Sequence, residues 1–230
     1  NLTIQIDPEV SDVIAVDGVV TLREHRTYRV LLTVFVLQAV ATGVMLAAAQ
    51  YVATYTLGSQ SALTFLFLAL VGPALVVMPL WTRYAALVGK ARALTTASVL
   101  FVVAALALVA LPLAPGWFAY AAVGLAGVAY AGMQLFPLAM LPDVISAAGR
   151  ERGGSMSGLW TAGETAGLAA GPVVVLLMLA AGRFVPSEAG EVAAQPATAH
   201  LAIGLAFSVV PAALVVASLV VLRRYREPVR

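Results

Sequence analysis

Cysteine is absent from the 230 residues, which excludes disulfides, thiolate metal sites and cysteine nucleophiles and leaves the compartment open. Charge is nearly as scarce. Charged residues make up 10% of the chain, where a soluble domain carries ~25%. Only two histidines occur, His25 and His200, far apart in sequence, one before the first expected span and one at the very start of the last. No metal-ligand spacing, nucleophile elbow or phosphate loop accompanies them. The chain therefore reads as a non-enzyme with no cofactor and no metal. The net charge of +2 is not a nucleic-acid signal either, because the arginines are dispersed near the ends of apolar stretches.

Apolar residues fill the space that charge leaves. They are 62% of the chain against about 45–50% for soluble proteins, so the expected solvent is a lipid bilayer. Residues 1–28 are polar and hold five of the eleven acids, which suits neither a signal peptide nor a spanning helix. Within them, Val13–Val20 could form a hairpin through Asp17-Gly18 or a flexible connector, and Thr21–Tyr28 is expected to be a short basic helix on the membrane surface. The chain begins at Asn1 rather than Met, so a longer polypeptide is expected.

Six apolar segments follow, at about 29–52, 62–81, 93–111, 118–141, 156–181 and 199–222, each near the ~20 residues that cross the hydrocarbon. A basic tail, 223–230, ends the chain. The expected fold class is an all-α membrane protein, a six-transmembrane-helix bundle. Trp81, Trp117 and Tyr55 fall near predicted interfaces. Twelve of the thirteen basic residues lie before the first segment, after the sixth, or in the second–third and fourth–fifth connections; Arg183 alone lies opposite. The positive-inside rule makes the crowded side cytoplasmic, with both ends of the segment inside a cell (inner or plasma) membrane.

Few polar residues interrupt the spans: Gln38, Thr42, Gln50, Gln134, Thr161, Glu164 and Thr165. Gln38 and Thr42 share a helix face, as do Trp160 and Glu164. Glu164 is the lone interior carboxylate. It costs roughly 2.5–3.5 kcal/mol on insertion scales, so a functional role is the first reading. An interior carboxyl of this kind suits proton coupling or solute binding. The bland alternatives are a protonated acid bonded to a neighbouring helix and amides that simply tie helices together. Glycine recurs at Gly163, Gly167 and Gly171, a stripe that lets a partner helix approach closely. On the basic side, Arg83, Lys90, Arg92, Arg150 and Arg152 could be topogenic charge. They could equally form an inner gate with acids such as Asp143 and Glu151.

Three motifs then carry a resemblance. T-L-R-E-H-R-T-Y-R-V-L-L at Thr21–Leu32 resembles the approach to the seventh helix of the glycoside–pentoside–hexuronide:cation symporters, the melibiose-permease-like branch of the major facilitator superfamily. P-L-W-T-R-Y-A-A-L-V-G-K-A-R at Pro79–Arg92 resembles that family's loop between helices eight and nine. A-M-L-P-D-V-I at Ala139–Ile145, with R-x-R-G-G and G-L-W-T within Arg150–Thr161, resembles its helix-ten-to-eleven hinge. The resemblance covers most of residues 21–225. It implies the C-terminal six-helix half of a twelve-helix transporter, partnered by an N-terminal six-helix bundle of the same polypeptide. It implies symport of a sugar, a glycoside or a similar small polar solute by alternating access, coupled to H+ or Na+. It also implies that the helices bearing Gln38, Thr42, Gln134, Trp160, Thr161 and Glu164 line the cavity. Two positions depart from the family pattern: Ser146 and Ala147 stand where a second hinge acid is usual, and Glu164 where a helix-eleven lysine is common. The competing readings are a non-transporting membrane subunit or scaffold, and a transporter of a non-sugar, for example amphiphilic, solute. A scaffold explains the glycine stripe but neither the basic turn nor the interior carboxylate.

Overall fold

The computed structural model describes residues 24–59, 61–186 and 193–227, and the hairpin expected at Val13–Val20 lies outside them. In hydrocarbon the backbone must satisfy its own hydrogen bonds, so each apolar run winds into a helix. The chain forms α1 (Arg26–Tyr51), α2 (Ser61–Val88), α3 (Lys90–Ala107), α4 (Trp117–Ala148), α5 (Gly153–Ala181), α6 (Ala197–Phe207) and α7 (Val209–Leu222). Among the described residues six spans are long and apolar enough to cross a membrane, with α6 and α7 together making the last. The fold is an all-α transmembrane bundle.

Where the bounds differ from expectation, glycine or proline sets them. α2 continues past Trp81 to Val88 and stops at Gly89, whose φ of 90° a side chain would resist. α4 runs through Pro137 and Pro142 to Ala148 and stops at Gly149, with φ 104°. Asp143, expected in a charged hinge, is thus inside α4, and the hinge shrinks to Gly149 and a 3-10 turn, Arg150–Arg152. Arg26 to Tyr28 belong to the first spanning helix rather than to a separate surface helix. The last span breaks at Ser208, because Pro211 has no N–H for the Phe207 carbonyl and its ring crowds that atom. His200 lies in the first turn of α6, at the start of the last span.

α1 and α4 stand at the centre of the bundle. α1 packs most extensively on α5, and α4 on α2 and α3; α7 closes the back against α1 and α3. The two inner contacts are built alike. Pro172 on α5 and Pro73 on α2 each leave the carbonyl one turn earlier, Leu168 and Ala69, without its helical donor. Gly43 of α1 lies against Leu168, where a Cβ would sit 2.5 Å from the carbonyl oxygen. Gly124 of α4 lies against Ala69, at 3.6 Å by the same measure. The glycine stripe on α5 is the other half of the first contact: Gly167 meets Val36 and Ala39, and Gly171 meets Gly43 and Val44.

Trp81 is not an interfacial anchor. It is only 7% exposed, and its indole N–H donates to the Val128 carbonyl of α4 at 2.8 Å. Trp117, 67% exposed at the start of α4, keeps the expected surface position. The outer flanks of the bundle are unequally covered. In its most apolar stretch α1 is 61% buried, whereas α2 is 6% and α5 is 22% buried.

Candidate functional site

The first cluster lies at mid-depth between α1 and α4. Gln38, ~18 Å along α1 from Arg26 at ~1.5 Å per residue, is 3% exposed. Its Nε2 donates to Ser98 Oγ of α3 at 3.0 Å and to Ser218 Oγ of α7 at 3.3 Å. Ser218 uses its own hydroxyl hydrogen on the Val215 carbonyl, so it can only accept from Gln38. That fixes the amide orientation and leaves Gln38 Oε1 as a buried acceptor without a partner. Thr42 Oγ1, one turn on, donates to the Gln38 carbonyl at 2.9 Å.

Across from them on α4, Gln134 Nε2 donates to Tyr130 Oη at 2.8 Å. Gln38, Thr42, Tyr130 and Gln134, with Phe35 and Met133, line one cavity of about 10 Å³, enough for roughly one water. Trp160 of α5 stacks on Phe35 with ring centroids 4.3 Å apart, is 3% exposed, and leaves its Nε1 without an acceptor. Gln38 thus leaves a buried acceptor unmet and Trp160 a buried donor. A buried polar atom left this way costs about 1–3 kcal/mol.

Glu164 is one turn beyond Trp160 but does not line this cavity. It is half-buried at the edge of the α1 contact, on the sparsely covered flank of α5. Among the described residues it makes no hydrogen bond or ion pair. Thr161 and Thr165 are exposed on the same flank, and their hydroxyls turn back to the Ser157 and Thr161 carbonyls. Of the six expected solute-site residues, the structure gathers Gln38, Thr42 and Gln134 around one cavity. It joins Trp160 to them through Phe35, and leaves Thr161 and Glu164 facing away from it.

The second cluster lies at the end of the bundle where α1 begins and α7 ends. Lys90 opens α3, and its ammonium donates to Asp143 Oδ2 of α4 at 2.6 Å and to the Ala139 carbonyl at 2.8 Å. A cation at a helix N-terminus opposes the helix dipole, so Lys90 gains more from this carboxylate than from its own helix. Tyr225, just past α7, lies near the pair. Burial first, then the Glu227 and Asp143 carboxylates, push its phenol up to about 12. Arg152 forms an ion pair with Glu24 rather than with Glu151, and its Nη1 also lies 3.1 Å from His25 Nε2. Arginine only donates, so that ring nitrogen accepts. The hydrogen bond and then the charge of Arg152 hold the Glu24 carboxyl below its usual range. Tyr28 Oη donates to the Met156 carbonyl at 2.6 Å, tying α1 to the first turn of α5. Arg83 and Arg92 are exposed and join no ion pair among the described residues; Arg150 opens the 3-10 turn.

Six spans around a polar mid-depth cluster, closed at one end by ion pairs, are the parts of a membrane carrier. Residues 9–227 match the MFS/sugar transport protein family. The chain belongs to that family. It is accordingly a multi-pass membrane protein of a transporter family, not of an enzyme family. No curated protein matches the chain.

Several residues of the MFS chain's two clusters escaped the sequence. Ser98 and Ser218 carried no signal, since serine in a membrane helix can bond its own preceding turn, and only the fold shows Gln38 reaching both. Tyr130 was findable, one turn from Gln134 on the same face. Glu24 was not, because 128 positions separate it from Arg152.

Proposed function

We propose that this MFS chain is the C-terminal six-helix bundle of a melibiose-permease-like cation symporter. In this reading it carries a sugar, a glycoside or a similarly small hydroxylated solute by alternating access, with H+ or Na+ as coupling ion. The end bearing Lys90, Asp143, Arg152 and Glu24 faces the cytoplasm of a cell (inner or plasma) membrane, following the charge split. Glu164 carries the reading. An unpartnered carboxyl on a flank of α5 that this bundle covers poorly is costly against lipid. It becomes tolerable against a hydrated cavity or a second bundle.

In this scheme an N-terminal bundle closes against α2 and α5 and encloses the solute between the halves. Glu164, with Thr161 beside it, meets the solute or the coupling ion. Trp160, Gln38, Thr42 and Gln134 form the floor beneath. The unmet Trp160 N–H suits an acceptor oxygen of a hydroxylated solute. Lys90–Asp143 and Arg152–Glu24 act as the cytoplasmic gate, exchanging these partners when that side opens.

Counterflow of labelled sugars and glycosides through the full-length protein, at several pH and sodium values, tests this. Uptake should follow a proton or sodium gradient. Glu164→Gln should insert and fold normally but transport at a rate that is lost or independent of pH. Transport by Glu164→Gln equal to the parent at every pH would remove the residue from the mechanism. Orientation has its own check: a cysteine at Gly190 should react with an impermeant label in intact cells, and labelling only after permeabilisation would reverse the assignment.

A further inference from the structure

A much larger space than the polar cavity lies at the opposite end of the bundle, away from Lys90 and Arg152. It measures about 500 Å³, within the ~300–1,000 Å³ of small-molecule pockets. Three separate departures from α-helix open it. α1 passes into a π turn at Val52–Thr56, closed by Leu57 N–H to the Val52 carbonyl at 2.9 Å. α3 tightens to a 3-10 turn at Leu108–Ala110. The last span breaks at Ser208: below the break α7 packs on α3, and above it α6 leans on α1 and α5 and touches both irregular turns, with the crevice lying among these elements. One irregular helix is ordinary, and π turns often mark functional positions. Three that coincide on one space indicate a built site.

We propose that this crevice is a resident lipid site holding one acyl chain of a bilayer phospholipid. Its chemistry is amphiphilic in the right order. The floor and walls are hydrocarbon, from Val52, Leu108, Leu201, Leu205 and Phe207, while Tyr55, Thr56 and His200 bring donors to its mouth. From His200 to the break at Ser208 is ~12 Å at ~1.5 Å per residue, most of the ~15 Å depth of one leaflet, half of a ~30 Å core. The crevice also opens sideways, since Val109 and Leu201 on its two walls are exposed, so a chain can enter from the bilayer without crossing the bundle. A chain seated there fills the gap and wedges α6 against its break.

Gly204 gives the test. It lines the crevice, and a Cβ built on it meets nothing within 4 Å, so a phenyl ring has room to take the lipid's place. The full-length protein, released from membranes in mild detergent, is examined by native mass spectrometry. The parent should retain a phospholipid mass, Gly204→Phe should lose it, and Val99→Phe, on the exposed face of α3 away from the crevice, should keep it. Added phospholipid should raise the melting temperature of the parent but not of Gly204→Phe, and added single-chain detergent should raise neither. Should Gly204→Phe fail to insert, Val109→Trp fills the space from the other wall. Equal phospholipid retention by parent and filled variants overturns the proposal, as does a parent that retains none or responds to detergent alone.

Discussion

The Arg152 guanidinium joins two parts of the chain that the sequence keeps far apart, donating to Glu24 and to His25 beside it. Because the Glu24 carboxyl is held below its ordinary value, the sign of its pH dependence is fixed. The pair's contribution is fully present above the unfolded glutamate value of about 4.3 and is lost as pH falls through the lowered folded value. Protection of the Ser157–Leu159 amides from hydrogen exchange, the first with acceptors inside α5, should stay level from neutral pH to about 4.3 and fall below it, once corrected for intrinsic rates. Glu24→Gln should abolish the step and lower protection throughout. A step at the same place without Glu24 would assign the titration elsewhere. What could be read at this scale was type rather than pairing. Gln38, Thr42, Gln134 and Glu164 stood out because an amide, a hydroxyl or an acid is conspicuous among apolar neighbours. Which of them meet was not readable: the structure turns Gln38 toward two serines and leaves Glu164 on the open flank.

At the scale of the element, the stripe Gly163, Gly167, Gly171 was legible as a close helix contact, but its partner was not. Gly43 is one glycine among nineteen, and only packing shows that it meets Leu168, whose carbonyl Pro172 leaves without a donor. Sequence also placed six spans yet missed the break at Ser208 and the π turn at Val52–Thr56. Hydropathy measures apolarity and not how a helix winds, and the π turn, Val-Ala-Thr-Tyr-Thr, begins where the first apolar segment ends. The contact itself predicts a graded outcome. A Cβ at Gly171 would strike the Gly43 and Val44 backbone, which cannot move aside as a side chain can. Gly171→Ala should therefore destabilise the bundle by about 1–3 kcal/mol, the usual cost of overpacking. Gly204→Ala, with open space around it, should be near neutral. Thermal melts of the purified variants distinguish them, and equal melting temperatures would show that α1 and α5 separate freely.

The whole molecule encloses Gln38, Thr42 and Gln134 and leaves Glu164 and Thr161 on a poorly covered flank, which limits what it can enclose. The cavity at Gln38 and Gln134 holds about 10 Å³, roughly one water, so a hexose-sized solute cannot sit within the bundle as it stands. Glu164, the residue best suited to meet solute or ion, lies outside that cavity on α5. A solute bound by both must rest against the face that α2 and α5 frame, and something else must close over it. In the proposed reading this is the second six-helix bundle, and transport is the rocking of one bundle against the other. Residues 1–230 reconstituted alone should then form a folded helical bundle, by circular dichroism and resistance to protease, and show no solute uptake above empty liposomes. Co-reconstitution with the N-terminal bundle should restore it. Saturable uptake by the lone bundle would mean that six helices suffice to enclose the solute, and the division of labour between two halves would have to be abandoned.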